Sequence, residues 1–298
     1  MTTHGLIVVD KPAAWTSHDV VAKIRKIYRQ RRVGHAGTLD PDATGVLLVG
    51  LGRATRLLRF LQDAGKGYRA TIVFGVSTTT LDASGEVVDR HPMPIDRADV
   101  EAVVPAFLGE IEQLPPMVSA VKIGGRRLHE LARRGEEIER APRRVRIDRL
   151  AIESFEPGPY PTATVVVECS SGTYVRSLAA DIGARLGGVA HLGELRRLDV
   201  GSFTLDEART LGDIEAEPEA VVLPLVTAVR DLEQVNIDAE QVPAVAHGVT
   251  FPAAVFAGSD AGPGPFAVVG PDGNLLAVYE RRRAAVKPAV VLAPVEAT

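Results

Sequence analysis

Residues 34–47 read Gly-His-Ala-Gly-Thr-Leu-Asp-Pro-Asp-Ala-Thr-Gly-Val-Leu. The glycines Gly34 and Gly37 predict a flexible loop over residues 34–41, because glycine adopts backbone conformations that other residues avoid. The apolar run at residues 46–49 predicts a buried strand. Asp40 therefore lies at the rim of a core, where a carboxylate is partly desolvated and becomes more reactive if a cation keeps it ionised. An Asp-Pro-Asp segment is also compatible with an ordinary turn.

The segment Cys169-Ser170-Ser171-Gly172-Thr173-Tyr174-Val175-Arg176 can supply that cation. Its pattern predicts that a strand ends, that the chain turns, and that a helix begins near Val175. In an extended backbone Tyr174 and Arg176 are two residues apart and therefore face the same way. The same residues are also compatible with the start of an ordinary amphipathic helix.

Apolar periodicity predicts helices and strands in an irregular alternation. Helices are expected at residues 16–32 (with Ser17 as the N-cap), 55–62, 129–134 and 175–186, strands at residues 46–49, 68–74, 145–155 and 162–168, and a hairpin at residues 119–128. Tyr68 begins one strand, and its ring belongs either to the core or, given the flanking Lys66 and Arg69, to an open surface. The absence of a regular βαβ rhythm favours a mixed α+β fold over a doubly wound sheet.

Composition excludes several classes of protein. The 298 residues are 46% hydrophobic and 24% charged, which is typical of globular domains and not of disordered, collagen-like or coiled-coil chains. The apolar runs are shorter than the roughly 20 residues of a membrane span, and the first residues lack the pattern of a secretory signal. Cys169, a single cysteine, forms neither an internal disulfide nor a zinc cluster. Because phosphate-loop, nucleophile-elbow and zinc-helix motifs are also absent, we expect a cytoplasmic protein without metal or cofactor.

Charge is distributed unevenly along the chain. The formal net charge is −4, yet residues 206–245 carry ten acidic and two basic residues, and residues 122–149 carry ten basic and five acidic ones. Nine of the ten basic residues are arginines, whose planar guanidinium holds phosphate with two donors. Since binding to a nucleic-acid backbone depends on the local patch, the basic segment is a candidate RNA-binding surface. The alternative is a solvated face held by salt bridges.

The composition and the residue pattern of the sequence change near residue 230. From residue 235 onward glycine and proline are frequent, and short β-like runs occur at residues 266–269, 275–279 and 290–292. Residues 271–274, Pro-Asp-Gly-Asn, predict a hairpin turn, since Gly and Asn accept a left-handed backbone. We therefore expect two domains, residues 1–229 and a small β-barrel-like domain at residues 230–298.

Five motifs occur together and in order: G-L-I-V-V-D-K-P, G-H-A-G-T-L-D-P-D-A-T-G-V-L, K-G-Y-R-A, S-G-T-Y-V-R-S-L and H-L-G-E-L-R-R-L. Over residues 5–205 they resemble the TruB family of bacterial tRNA pseudouridine-55 synthases. The resemblance implies the pseudouridine synthase fold, with a largely antiparallel central sheet, flanking helices and an RNA-clamping insertion at about residues 117–149. It implies conversion of uridine to pseudouridine at position 55 in the T-loop of tRNA, without a cofactor. The C-terminal residues are similar to the PUA-type RNA-binding domain of such enzymes.

The resemblance assigns a role to each candidate active-site residue. Asp40 matches the nucleophile, which forms a transient covalent adduct with the nucleoside, and Arg176 matches the arginine that pairs with it. Tyr68 matches the tyrosine that stacks on the uracil and transfers a proton. Tyr174 matches a second tyrosine of the site, and Leu195 matches an apolar residue of the pocket.

The remaining expected contacts concern the RNA around the target uridine. A uridine in a folded T-loop has to be extruded before it can react, and His35 matches the residue that fills the vacated space. Lys11, Arg133 and Arg134 are expected to bind the substrate as well.

The net charge of the C-terminal residues departs from the pattern of the family. Residues 246–298 have a net charge of zero, whereas the corresponding domain of the family is often basic. The three arginines Arg281, Arg282 and Arg283 are therefore its candidates for a phosphate contact. The acidic residues 206–245 are expected to face away from RNA.

Two other classes of protein share some of these features. The RNA-guided catalytic subunit of archaea and eukaryotes has the same aspartate loop, but it works with protein partners and has longer N-terminal and basic tail segments. An RNA-binding protein without catalysis has no need for Asp40, Tyr68 and Arg176 together. We therefore expect a stand-alone monomer that acts on tRNA, without an obligatory protein partner and without a membrane.

Reversing charge in the basic segment tests whether it binds RNA. The variant Arg133→Glu/Arg134→Glu should bind tRNA more weakly and with less salt dependence, because each lost phosphate contact lowers the slope of log K against log salt by about 0.7–0.9. Affinity measured over a salt series checks this, with Arg185→Glu as the control. An unchanged slope would assign the segment to a solvated face.

Overall fold

Two β-sheets contain the core, and helices pack against the larger one. The computed structural model describes residues 2–116, 122–123, 126–127, 140–256 and 264–292. The strands are β1 (Gly5–Lys11), β2 (Val33–Ala36), β3 (Thr44–Leu51), β4 (Lys66–Phe74), β5 (Val76–Thr78), β6 (Val87–Arg90), β7 (Gly109–Gln113), β8 (Lys122–Ile123), β9 (Arg126–Arg127), β10 (Arg143–Glu156), β11 (Thr162–Cys169), β12 (Ala190–Val200), β13 (Phe203–Thr204), β14 (Glu233–Asn236), β15 (Phe251–Pro252), β16 (Phe266–Val269), β17 (Leu275–Arg282) and β18 (Ala285–Val291). The α-helices are α1 (Ser17–Ile27), α2 (Leu58–Gln62), α3 (Arg97–Val103), α4 (Val175–Arg185), α5 (Leu211–Ala216), α6 (Val242–Ala246) and α7 (Ala253–Phe256). Short 3-10 helices occupy Gly52–Arg56, Val104–Phe107, Leu205–Glu207, Thr227–Val229 and Ala239–Gln241.

The larger sheet confirms the expected mixed α+β fold with a largely antiparallel sheet. Its strand order is β1-β3-β12-β4-β11-β10-β7, with β2 added beside β3 and β13 beside β12. All of these pairs are antiparallel except β12 with β3, where Arg196 lies opposite Thr44 and Arg197 opposite Gly45. That parallel contact brings residues 34–47 against the last of the five motifs, residues 191–198.

The strands β1 and β3 are buried on both faces because their side chains alternate between two apolar clusters. Ile7 and Leu47 pack with the apolar face of α1, whereas Leu6 and Leu48 pack with α2 and with apolar residues of the C-terminal sheet. Successive side chains of a strand point to opposite faces, so a strand covered on both sides reads as a continuous apolar run. This explains why residues 46–49 show no polar alternation.

The helix α1 is shorter than expected and is capped by a different residue. Ser17 is its first residue and Thr16 is its N-cap. The Thr16 side chain accepts the backbone N–H of Asp19, and the two residues form a reciprocal capping box. The prediction of Ser17 as the cap was wrong, because its hydroxyl is buried and bonded elsewhere. The helix ends before Arg29, whose backbone has a φ of 50°.

The expected loop at residues 34–41 begins as a strand. β2 covers Val33–Ala36 and pairs with β3, so that His35 lies opposite Val49. The loop part of the segment therefore starts at Gly37, where φ is +73°. His35 consequently belongs to the sheet and not to the loop that carries Asp40.

The C-terminal sheet packs directly on the larger one. Its order is β14-β16-β17-β18-β15, and the turn predicted at residues 271–274 joins β16 to β17 with a φ of +77° at Gly273. Arg53 and Arg56 donate hydrogen bonds to the carbonyls of Leu292 and Val291, at 3.0 and 2.6 Å. Because the sheets share an apolar cluster, the boundary at residue 229/230 separates them along the chain but not in the core, and the division into domains stays a prediction.

Part of the basic insertion lies outside the described residues. β8 and β9 pair with Lys122 opposite Arg127, as expected for a hairpin, but the turn residues Gly124 and Gly125 are not among the described residues. The expected helix at residues 129–134, with Arg133 and Arg134, also lies outside them. None of the helices in the described ranges is long and apolar enough to cross a membrane.

Replacing Gly45 by alanine tests the close contact between β3 and β12. An added Cβ would lie 2.1 Å from the Arg197 carbonyl oxygen, and φ is +101°. Gly45→Ala should lower the free energy of unfolding by about 3 kcal/mol or more, because backbone strain and overpacking add. Urea unfolding measures the change. Gly109→Ala is the control: φ is +82° but no atom lies within 4 Å, so about 1–2 kcal/mol is expected, and equal losses would contradict the contact.

Candidate active site

The loop between β2 and β3 is held from both sides of Asp40. On one side, the Ser17 hydroxyl accepts the Leu39 backbone N–H at 2.9 Å and donates to the Leu39 carbonyl at 3.1 Å. On the other side, the Lys11 ammonium donates to the Pro41 carbonyl at 2.8 Å. The carboxyl of Asp40 is therefore placed by backbone contacts of its two neighbours.

The side chain of Lys11 is turned into the protein. Its side chain is fully buried, and besides Pro41 its ammonium donates to the carbonyls of Pro12 and Trp15, at 2.8 and 2.6 Å. Burial lowers the pKa of Lys11 to about 8. All three of its donors are thus used by backbone carbonyls of the protein. Lys11 therefore holds the loop that carries Asp40, and the expectation that it binds the substrate stays a prediction.

Arg176 holds two carboxylates with one guanidinium. Its Nη2 lies 3.1 Å from Oδ2 of Asp40, and its Nη1 lies 3.1 Å from Oδ2 of Asp82 and 3.3 Å from the carbonyl of Thr80. The side chain is 5% exposed, whereas that of Asp40 is 44% exposed. A planar guanidinium with several donors in fixed directions is suited to such bridging.

The two carboxylates differ in their affinity for a proton. Burial raises the pKa of Asp40, and the charge of Asp82 adds to this, while Arg176 opposes it. At Asp82 burial also acts upward, but hydrogen bonds from Ser84 and Thr80 together with the Arg176 charge outweigh it, so its pKa is lowered. Neighbouring groups whose pKa values move apart take different chemical roles. Asp82 is therefore the stronger acid of the pair, and Asp40 is the more basic carboxylate.

The helix α4 brings Arg176 and Tyr174 to the same site. Tyr174 is the last extended residue before the helix, and Gln113 at the end of β7 holds its backbone with two hydrogen bonds, of 3.0 and 3.3 Å. Arg176 follows in the first turn. The prediction of a strand end, a turn and a helix start in this segment is confirmed.

A pocket of about 250 Å³ joins most of the expected site residues. It is lined by Gly37, Thr38, Leu39, Asp40, Gln62, Lys66, Tyr68, Gly172, Thr173, Tyr174, Val175, Arg176, Leu195 and Arg197. Asp40, Tyr68, Tyr174, Arg176 and Leu195 thus line one cavity, although they come from four separate parts of the chain. The volume is below the range of about 300–1,000 Å³ that is usual for drug-sized ligands, and it suits a single pyrimidine base.

Tyr68 lies deep in this pocket. Its residue is 7% exposed, and burial raises the pKa of the phenol, while a hydrogen bond and the charge of Arg197 act in the opposite direction. The phenol is therefore protonated at neutral pH, with a cation beside it. Of the two alternatives for Tyr68, core or open surface, the structure places the ring at the buried end of an accessible pocket.

His35 does not line the pocket but lies near its rim on β2. Its ring meets His18 of α1 edge to face, with centroids 5.4 Å apart. Burial lowers its pKa to about 4, and the neighbouring His18 and Arg197 contribute, so the ring is neutral at physiological pH. Its Nδ1 is buried and makes no hydrogen bond within the part of the chain that the structure describes.

Three residues of the site were missed by sequence reasoning: Asp82, Lys66 and Arg197. Asp82 lies in Thr79-Thr80-Leu81-Asp82-Ala83-Ser84-Gly85, which reads as a polar turn. Lys66 and Arg197 lie inside the quoted motifs, next to Tyr68 and Leu195, and this adjacency was the available signal. No group of three His, Cys, Asp or Glu residues that could hold a metal occurs within the described ranges.

Comparison with known families supports one assignment for the whole chain. The family model described as TruB family pseudouridylate synthase (N terminal domain) matches residues 25–175. The model of the tRNA pseudouridylate synthase B C-terminal domain matches residues 176–230, and that of the tRNA pseudouridine synthase II C terminus matches residues 232–293.

Individual proteins and solved structures agree with the family models. A tRNA pseudouridine synthase B of Thermobifida fusca (strain YX) is 46% identical over 297 residues, 97% of this chain and 98% of that protein. One of Symbiobacterium thermophilum is 48% identical over 246 residues, 82% of each chain. An H/ACA RNP bound to a substrate RNA containing 2′-deoxyuridine has a chain with a TM-score of 0.76 and 27% identity, covering 98% of this chain and 86% of that one. A Cbf5-Nop10-Gar1 complex gives a TM-score of 0.75 and 29% identity, with the same coverage.

These matches extend over nearly the full chain and include each of the motifs that build the pocket. The chain therefore belongs to the TruB family of pseudouridylate synthases and is an isomerase of uridine in tRNA.

Proposed function

We propose that this isomerase converts uridine 55 in the T-loop of tRNA to pseudouridine, with the target base flipped into the pocket and Asp40 as the nucleophile. The observation that carries the proposal is the Asp40–Arg176 ion pair at 3.1 Å in a cavity with room for one base. The curated relatives at 46–48% identity are named tRNA pseudouridine synthase B.

The chemistry needs no group from outside the chain. The N1–C1′ bond breaks and its electron pair leaves with N1, while Asp40 forms a transient bond to the nucleoside. The uracil turns, C5 bonds to C1′, and the bond to Asp40 breaks. The C5 proton is lost and N1 gains one, so that atoms and charge balance. Arg176 keeps the Asp40 carboxyl ionised and aimed, against the desolvation that raises its pKa.

The pocket explains why the base has to leave the RNA stack. Asp40, Tyr68 and Leu195 line a cavity that a stacked or paired uridine cannot enter, and extrusion costs a few kcal/mol. Tyr68 offers the uracil a flat ring and a protonated hydroxyl that relays a proton from C5 to N1. His35, neutral and without a hydrogen-bond partner at Nδ1 among the described residues, is free to enter the space that the base vacates.

Sequence identity favours a stand-alone tRNA enzyme over an RNA-guided catalytic subunit. Identity is 46% with the curated Thermobifida fusca protein but 27–29% with the H/ACA chains. We therefore propose tRNA itself as the partner, bound without an obligatory protein, by a monomer, in the cytoplasm where tRNA is modified. The basic segment at residues 122–149 and Arg281–Arg283 are the proposed RNA contacts outside the pocket.

The role of Asp40 is tested by replacing its carboxyl group with a carboxamide of the same shape. Asp40→Asn should bind tRNA with unchanged affinity and release no tritium from C5-labelled uridine, because an amide is not a nucleophile of comparable strength. Wild-type enzyme should release tritium from an unmodified transcript but not from one with cytidine at position 55. Asp42→Asn, two residues along the same loop, is the matched control and should remain active. Product formation by Asp40→Asn would reject Asp40 as the nucleophile, and release from the cytidine transcript would reject position 55.

The geometry at Arg176 is tested by a substitution that keeps the positive charge but removes the planar guanidinium with its several donors. Arg176→Lys should lower kcat by about 100-fold or more and change KM little, since a point charge cannot hold Asp40 and Asp82 at once. Steady-state kinetics on the same transcript measure both constants. Arg185→Lys, at the exposed end of the same helix, should behave as wild type; near-normal kcat in Arg176→Lys would remove the ion pair from the mechanism.

A further inference from the structure

Two buried cations in the wall of the pocket form no salt bridge with any residue that the structure describes. Lys66 is 8% exposed and Arg197 fully buried, and both line the cavity that contains Asp40 and Tyr68. In the described part of the chain, neither side chain has a carboxylate within ion-pair distance. Arg176 differs, because its charge is balanced by Asp40 and Asp82.

Apart from the hydrogen bond between Arg197 and the Tyr68 side chain, the two cations donate to backbone carbonyls. Lys66 donates to the carbonyls of Gln62 and Ala64, at 3.1 and 2.7 Å. Arg197 donates from Nε to the Val46 carbonyl at 2.7 Å and from Nη2 to the Gly37 carbonyl at 3.0 Å. Carbonyl dipoles satisfy donors but do not neutralise a charge. A buried charge without a counter-ion is destabilising compared with an apolar side chain of the same size, so its presence beside the reacting groups requires a reason.

The two cations lie together beside Gly37, at one side of the cavity. A Cβ on Gly37 would be 3.5 Å from Cε of Lys66 and 3.4 Å from Nη1 of Arg197. An ammonium has three donors, and the two carbonyls use two of those of Lys66. The third remains for a ligand in the pocket that Lys66 lines.

The reaction creates a negative charge in this pocket. When the N1–C1′ bond breaks, both electrons stay with the uracil, whose charge is spread over N1, O2 and O4. The charge persists until C5 bonds to C1′ and the C5 proton leaves. A cation already in place, in a site with little water, lowers the energy of such a state without reorganisation.

We propose that Lys66 stabilises the detached uracil anion through its third ammonium proton, and that Arg197 acts as a positioning residue that adds positive potential and holds Gly37 and Tyr68. The inference rests on the proposed function, since it requires the flipped uracil to occupy this pocket. It assigns to Lys66 a catalytic contact separate from the Asp40–Arg176 pair.

The titration of Lys66 is consistent with this role. Burial, followed by the neighbouring Arg197 charge, lowers its pKa to about 8, while Cys169 and Asp63 act weakly upward. A group with this pKa is still mainly charged at neutral pH. It is also less strongly solvated than an exposed lysine, which strengthens its interaction with an anion.

A purely structural role for Lys66 makes a different prediction. Its bonds to Gln62 and Ala64 lie at the end of α2, and if their purpose were only to hold that end, loss of the ammonium would destabilise the fold. Lys66→Met keeps the aliphatic stem and removes the unpaired charge. On our proposal this variant melts at the wild-type temperature or above and is slow in catalysis.

Two substrates separate the alternatives. Single-turnover reactions are run on a tRNA transcript with uridine and on one with 5-fluorouridine at position 55, and loss of the substrate nucleoside is followed in digests by chromatography. Fluorine at C5 withdraws electrons and stabilises the ring anion. Lys66→Met and Lys66→Gln should be about 100-fold slower than wild type on uridine and about tenfold or less slower on 5-fluorouridine. Lys66→Arg, which keeps a charge, should fall between the glutamine variant and wild type.

The controls make each outcome decisive. Lys23→Gln removes an exposed lysine that pairs with Glu215, and it should not change either rate. Equal slowing of the Lys66 variants on both substrates, or a lower melting temperature of Lys66→Met with near-normal rates, would overturn the inference. Failure of the wild-type enzyme to consume uridine 55 would instead reject the proposed function.

Discussion

The ion pair between Asp40 and Arg176 is the interaction on which the site depends. Desolvation raises the pKa of the Asp40 carboxyl, and the Arg176 guanidinium at 3.1 Å opposes that rise because it favours the charged form. Asp82 completes the arrangement from the opposite side of Arg176. Asp82 and the Thr80 carbonyl bind Nη1 of Arg176 and so fix the orientation of the guanidinium. Its Nη2 is thereby held in place to pair with Asp40.

The rest of the fold positions these side chains through backbone contacts. Lys11 and Ser17 fix the residues on either side of Asp40, and Gln113 fixes the residue that precedes the helix of Arg176. The C-terminal sheet also contributes, since it packs on Leu58 and Leu61 of α2, and Gln62 at the end of that helix lines the pocket. A sheet far along the chain thereby supports one wall of the reaction site.

The local charge of the pocket differs in sign from the net charge of the chain. The net charge is −4, yet the pocket contains Arg176, Arg197 and Lys66 around a single reacting carboxylate. The first of these cations is neutralised by two aspartates, whereas Lys66 and Arg197 donate to backbone carbonyls and, among the described residues, form no salt bridge. This leaves positive potential at the place where, on our proposal, the isomerisation produces an anion, although an unpaired buried charge is destabilising.

The sequence by itself determined the strands β4, β10 and β11, the start of a helix near Val175, and the motifs that contain Asp40, Tyr68 and Arg176 and resemble one family. The roles of these three residues stay a prediction. Local periodicity suffices for the strands and the helix because burial repeats every two or about 3.6 residues. Only the tertiary structure decided that Asp82 shares Arg176 across 94 residues, that Lys11 turns inward, that Ser17 holds the loop instead of capping a helix, and that His35 lies on a strand. These contacts join residues far apart in the chain, and they follow from the order and register of the sheet, which no local pattern contains.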